Sequence, residues 1–297
     1  MKLQRRLTPN ALRLTPKSAF SLIELSIVLL TISVMVIGIM KGGNLVSLAR
    51  LMNARSFTSN SPVPKIEGLL AWYETSSKIS LKESESYDGA QISTWYDINP
   101  NSIANQRNKL TRTASASVVY RAKGIAKIPS LEFDGTGMLS ISSFYQGNSS
   151  QNTIFLVFHH TTEGSFLLGS YTGQPFSSIG IMTDAVELIG NATVDTATVT
   201  NPANFVIGND YVVAVYFNGT SSGAYANNAT TLAGNGYIDP SPPISISGLT
   251  VGTGEGGTDF TGLISEIIIY NRPLKLQERK DVMSYLSKKY QIIVAGL

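Results

Sequence analysis

Residues 68–73 read Gly68-Leu69-Leu70-Ala71-Trp72-Tyr73, a short apolar run ending in two aromatic rings. It follows the proline-interrupted stretch 57–65, where Pro62 and Pro64 stop any preceding helix. A run of this length and content fits a buried strand. Further along, comparable runs recur at Ser130–Phe133, Thr153–Phe158, Ser165–Leu168, Val186–Ile189, Tyr211–Phe217, Ser222–Ala226 and Leu263–Tyr270, separated by turn residues. Asn218-Gly219 sits between two of them and signals a hairpin. Many short strands with turn signals predict a sandwich. The clusters near Asn201 and Ser241 read as loops within one domain. Leu274–Tyr290 has a helical pattern, with Val282, Met283, Leu286 and Tyr290 on one face.

The chain has 297 residues, a formal net charge of +3 and only 14% charged residues. No clustered basic patch accompanies that small charge, so nucleic acid is not an expected partner. Cysteine is absent, which excludes disulfides and Cys-based zinc sites. It does not place the chain in the cytoplasm, since a domain of this size can bury a core without staples.

The first forty residues differ in character. Lys2, Arg5, Arg6, Arg13 and Lys17 precede Phe20 with no acid among them, and Phe20–Met40 is apolar apart from Glu24 and small polar residues. About 20 apolar residues suffice to span a bilayer core of roughly 30 Å, and a basic leader stays cytoplasmic. Three readings compete. A secretory signal peptide has a shorter apolar segment, of about 7–15 residues, and a small-x-small cleavage site. A plain membrane anchor leaves Glu24 unexplained, because an intramembrane carboxylate costs on the order of 2.5–3.5 kcal/mol. In the third, the segment is processed and Glu24 is neutralised by a cation.

That third reading rests on Ser18-Ala19-Phe20-Ser21-Leu22-Ile23-Glu24-Leu25, which resembles the prepilin processing motif of type IV pilin-like proteins. The resemblance implies cleavage between Ala19 and Phe20, N-methylation of Phe20, and pairing of Glu24 with the Phe20 amine of a neighbouring subunit. The family usually has Gly where this chain has Ala19. Beyond Gly42-Gly43, the positions Leu45, Leu48, Ala49 and Met52 follow amphipathic spacing, similar to the outward continuation of a pilin helix.

The remainder resembles the concanavalin A-like, laminin-G-like jelly-roll superfamily. Gly68–Tyr73 resembles its opening strand, and Trp95-Tyr96-Asp97 resembles its W-x-D step. Pro129–Gly135 resembles its P-x-L-x-F-D-G strand and turn, and Phe260–Arg272 its final strand. The expected fold is therefore an N-terminal transmembrane, pilin-like α-helix followed by an all-β jelly-roll sandwich with a short C-terminal helix. The expected divisions are a leader at 1–19, the helix and its extension at 20–60, a linker at 61–66 and the sandwich at 67–291. Trp72, Trp95, Phe133 and Tyr270 are read as core aromatics.

Candidate chemistry is sparse. His159 and His160 are adjacent in a strand and must face opposite ways. Glu132 and Asp134 share a face, as paired glycosidase carboxylates would, but no third acid follows in register, and Asp134-Gly135 reads as a turn. Glu266 is an isolated acid on the last strand. The glycine-rich stretch Gly252–Gly257 has no helix after it and reads as a surface loop. Asn191 and Asn218 head Asn-x-Thr triplets, read as composition effects. The laminin-G likeness makes Ca²⁺ a candidate cofactor, with Asp239, Glu255 and Asp259 as loop oxygens. No catalytic residue is assigned, and the chain is read as not an enzyme.

The leading functional reading is a minor pilin-like subunit of a type IV pilus or related secretion filament, displaying a lectin-like domain for adhesion or for carbohydrate or protein binding. Its expected partners are a prepilin peptidase, other pilin or pseudopilin subunits, the membrane, and a glycan or surface-protein ligand. Its expected location is the bacterial inner membrane before assembly and the pilus, cell surface or periplasm afterwards. The alternatives are a structural pseudopilin without a ligand and a membrane-tethered carbohydrate-active enzyme.

Overall fold

The computed structural model describes residues 21–102, 107–113, 115–144, 151–162, 165–169, 177–181, 185–190, 195–200, 206–218, 221–231, 248–253 and 258–297. In chain order the strands are β1 Leu69–Glu74, β2 Thr94–Tyr96, β3 Lys109–Arg112, β4 Val118–Arg121, β5 Ser130–Asp134, β6 Leu139–Ile141, β7 Asn152–His160 and β8 Ser165–Gly169. They continue as β9 Ser177–Ile181, β10 Ala185–Gly190, β11 Asp195–Thr200, β12 Asp210–Phe217, β13 Gly223–Ala226, β14 Leu249–Val251, β15 Thr258–Asp259 and β16 Thr261–Tyr270. Two α-helices frame them, α1 Leu22–Ser59 and α2 Leu276–Tyr290.

The strands form two sheets. One runs β13-β12-β7-β16-β5-β4, with β1 also paired to β16; the other runs β11-β10-β9-β8-β14-β6-β3-β2, with β15 on β8. Their facing sides meet in one apolar core that includes Tyr73, Trp95, Leu110, Phe133, Leu156, Phe158, Val213, Val251 and Ile267. All eight expected strands are present. Gly68 opens the first of them with φ +88, and a Cβ there would come within 2.5 Å of the Asn271 side chain, so only glycine fits. β12 and β13 pair antiparallel, as the Asn218 turn signal predicts, although Gly219 lies outside the described residues.

The first sheet also buries its other face. Trp72, Phe155, Val157, Val212, Ala214, Ile268 and Tyr270 pack there with Val282, Met283, Leu286 and Tyr290 of α2, and with Ala54 of α1. Both faces being covered explains why β7 and β12 read as nearly continuous apolar runs rather than alternating ones. A bulge between Ile264 and Glu266 resets the alternation along β16. Ile264 and Ile267 therefore both point into the inter-sheet core, while Glu266 turns toward the helices. The expected linker is packed down: Val63 is buried, and its carbonyl accepts the Tyr270 hydroxyl at 3.0 Å.

The chain divides into two compact units, Met1–Val46 and Ser47–Leu297. In the first, the helical side chains from Leu22 to Val36 are exposed. The expectation of a transmembrane helix in the fold is corrected: among the described residues, no helix is long and apolar enough to cross a membrane. The apolar stretch of α1 is interrupted by Glu24, a carboxylate that is costly in a hydrocarbon core. The fold is a jelly-roll-like β-sandwich with a few helices.

Candidate functional site

The helices cover only part of the first sheet's outer face. Beyond them a row of residues crosses five strands in register: Val119 of β4 opposite Glu132 of β5, Glu132 opposite Leu263 of β16, Leu263 opposite His159 of β7, and His159 opposite Asp210 of β12. Strand alternation puts these side chains on the side away from the inter-sheet core. Polar residues hold this end open where apolar ones seal the other.

Two polar pairs flank Leu263. On one side Arg121 Nε donates to Glu132 Oε2 at 2.6 Å, and Arg121 Nη2 makes an ion-pair contact of 2.5 Å with the same oxygen. Among the described residues, Glu132 Oε1 has no hydrogen-bond partner. On the other side His159 Nδ1 lies 2.8 Å from Asp210 Oδ1, which directs Nε2 away from that contact. Asp88, Arg121, Ala122, Lys123, Gly124, Glu132 and Leu263 line a cleft of about 500 Å³. It carries two acids and two bases, so its formal charge balances. It offers charged donors and acceptors around one apolar floor residue, an arrangement suited to a neutral polyhydroxylated ligand. The outer face of the second sheet offers a different surface. There Thr94, Thr111, Ser140 and Thr250 form a hydroxyl row across β2, β3, β6 and β14.

Behind the first sheet lies a fully buried polar centre. Lys289 Nζ donates to Glu266 Oε2 at 2.7 Å, Glu74 Oε2 at 2.9 Å and Thr58 Oγ1 at 2.8 Å. Glu266 also accepts Trp72 Nε1, Tyr285 Oη and Tyr290 Oη. Glu74 accepts the amides of Ser76 and Ser77 and the Ser76 hydroxyl. Burial pushes Glu74 up, but Lys289 and the Ser76 hydrogen bonds outweigh it and hold Glu74 below the usual carboxylate range. Burial likewise opposes the Lys289 charge, and the two carboxylates overcome it and raise Lys289. The Lys289, Glu74 and Glu266 side chains are wholly buried, and the centre joins α1, β1, β16 and α2. It is a structural joint, not a binding surface.

The sequence candidates fall as follows. Trp72, Trp95, Phe133 and Tyr270 are all buried. His160 packs among Phe158 and Tyr211, while His159 faces the other way. Asp134 accepts the amide and hydroxyl of Thr136, as a turn residue does. Glu266 is not isolated but belongs to the buried centre. Asp97 of the W-x-D step accepts the Trp72 amide at 2.9 Å, tying that motif to β1. Ala19, Phe20, Asp239 and Glu255 lie outside the described residues, as does 254–257 of the glycine-rich stretch. Asp259 sits on β15, opposite Phe166. Among the described residues, no three histidines or carboxylates come together as a metal site. Glu24 accepts the Ser21 amide at 2.9 Å. Sequence reading picked out Glu132 and His159. It missed Arg121, Asp88 and Asp210, which only strand register brings alongside.

No family model matches the chain, and no curated relative does. Solved structures share its fold. One is Domain 4 of AbnA, a GH43 extracellular arabinanase from Geobacillus stearothermophilus, in complex with arabinotriose. It has TM-score 0.50 and 14% identity, covering 72% of this chain and 97% of that one. Another is a Trypanosoma rangeli sialidase in complex with 2,3-difluoro-KDN, with TM-score 0.51 and 15% identity over 85% of this chain. This chain spans only 40% of that sialidase. At such identities the likeness establishes the fold, a β-sandwich also found in proteins named as glycoside hydrolases. The expectation that the chain is not an enzyme is corrected on that ground: a fold shared with an arabinanase domain and a sialidase gives no basis for excluding chemistry.

Proposed function

We propose that the sandwich is a lectin-like, carbohydrate-binding domain whose sugar lies in the cleft over Leu263. The observation that carries this reading is the Arg121–Glu132 pair, in which the guanidinium engages only Glu132 Oε2, leaving Oε1 available to a ligand hydroxyl. Lys123 and Asp88, which also line the cleft, add a donor and an acceptor. The balanced charge favours a neutral sugar over an anionic one. The arabinotriose in the related Domain 4 structure supports the ligand class. A glycan array probed with the full chain tests this. Retention of neutral glycans that drops about tenfold or more in Glu132→Gln supports it; no retention, or retention untouched by that change, overturns it.

The N-terminal part we read as the stalk of a pilin-like subunit, cleaved before Phe20 by a prepilin peptidase and presenting the sandwich outside the cytoplasm. The support is Glu24, which turns back to its helix start at Ser21, the residue next to the would-be terminal amine. The exposed side chains of Leu22–Val36 would then be covered by the same segment of neighbouring subunits.

A further inference from the structure

Arg50 of α1 lies in the same compact unit as the cleft. Its Nη1 donates to the carbonyl of Ala126 at 3.0 Å, 76 positions along the chain. Ala126 and its neighbour Lys127 both adopt the left-handed conformation, with φ 52 and φ 61. Two consecutive non-glycine residues in that region are strained and persist only where surrounding contacts hold them. The turn is tied at its start, where the Lys127 amide donates to the Gly124 carbonyl at 3.0 Å and the Ile125 amide to Ser130 Oγ at 3.0 Å. Gly124 lines the cleft, and Arg121, Ala122 and Lys123 immediately precede it. Gly124 sits so close to β5 that an added Cβ would come within 2.0 Å of Ser130 Oγ. The wall of the cleft therefore runs without a break into a strained turn, and the outer side of that turn is held by a side chain of the stalk helix.

We infer that Arg50 is a positioning residue for the cleft: by holding the strained 125–127 turn, it sets the placement of the Arg121–Gly124 wall. The inference rests on the cleft being the binding site. It links the docking of α1 onto the sandwich to ligand affinity, so a displacement of the helix past Ser47 would be felt at Arg121 and Lys123. Arg55, one turn further on, is bonded elsewhere, through Nε to the Ser76 carbonyl at 2.7 Å, and serves as the control for helix docking that does not pass through the turn.

The test compares the full chain with Arg50→Ala, Arg50→Lys and Arg55→Ala by hydrogen exchange, and by binding of whichever neutral glycan the array retains. Arg50→Ala is expected to speed exchange at residues 125–128 by about tenfold while the core strands stay protected. It is also expected to weaken glycan binding, with Arg50→Lys restoring much of both and Arg55→Ala leaving the turn unchanged. Unaltered exchange at 125–128 overturns the inference and leaves the cleft reading standing. Faster exchange with undiminished glycan binding overturns it too. If the unaltered chain binds no glycan, the cleft reading itself has failed.

Discussion

Lys289 Nζ stands 2.7 Å from Glu266 Oε2, and neither side chain has any exposed surface. Removing the cation leaves two carboxylates facing each other in a dry interior, with Trp72, Tyr285 and Tyr290 around them. Breaking a buried pair from one side costs about 3–5 kcal/mol. Lys289→Met should therefore lower stability by that order in urea unfolding. Thr58 donates to the Ala54 carbonyl and accepts from Lys289, so Thr58→Val should cost less, about 1–2 kcal/mol.

Asp97 gives a pH dependence of known sign. Burial without a cation raises it to about 6, despite hydrogen bonds from the Asn99 and Trp72 amides and the Asn108 side chain. A carboxyl raised in the folded state favours folding most when protonated. That contribution is full below the unfolded value near 3.9 and is lost as pH rises through about 6. The loss is on the order of 3 kcal/mol. Melting temperature should fall as pH rises from about 4 to about 6.5 and level off above that, and Asp97→Asn should flatten that slope.

Glu278 works in the opposite direction. Its hydrogen bonds to Arg272, at 2.7 and 2.9 Å, are the main cause of a value held down to about 2. It also accepts the Lys275 amide at the start of α2. Its contribution is present above the unfolded value near 4.3 and disappears as pH falls through about 2. Because the pair is partly exposed, Glu278→Gln should cost only about 1 kcal/mol at neutral pH in thermal melts.

The strands that were legible in the sequence are those with a long apolar or aromatic run, such as Thr153–Phe158 and Tyr211–Phe217. The eight others were not, because Thr94–Tyr96, Leu139–Ile141 and Leu249–Val251 are too short to show a period. Lys109–Arg112 hides one core residue, Leu110, among polar neighbours. Glu74 and Lys289 are 215 positions apart, so no local pattern announces their contact. The bulge after Ile264, which turns Glu266 to the helices, is likewise a property of pairing rather than of spacing. Of the cleft's polar residues only Glu132 stood out, as an acid on a strand; its partner Arg121 is a diagonal cross-strand neighbour fixed by the β4–β5 register.

The stalk reading is checked by mass spectrometry of the N-terminus from sheared surface material. A chain beginning at N-methylated Phe20 is the expected result. An intact Met1, or a cut far from Ala19, would contradict the pilin-like assignment without touching the sandwich.

The central claim is that the sugar sits over Leu263. Chemical-shift mapping of the full chain, titrated with the neutral glycan retained on the array, tests it most directly. Perturbations centred on Arg121–Gly124, Glu132 and Leu263, abolished in Glu132→Gln, are the predicted result. Perturbations centred instead on Thr94, Thr111, Ser140 and Thr250 would contradict it and move the site to the outer face of the other sheet.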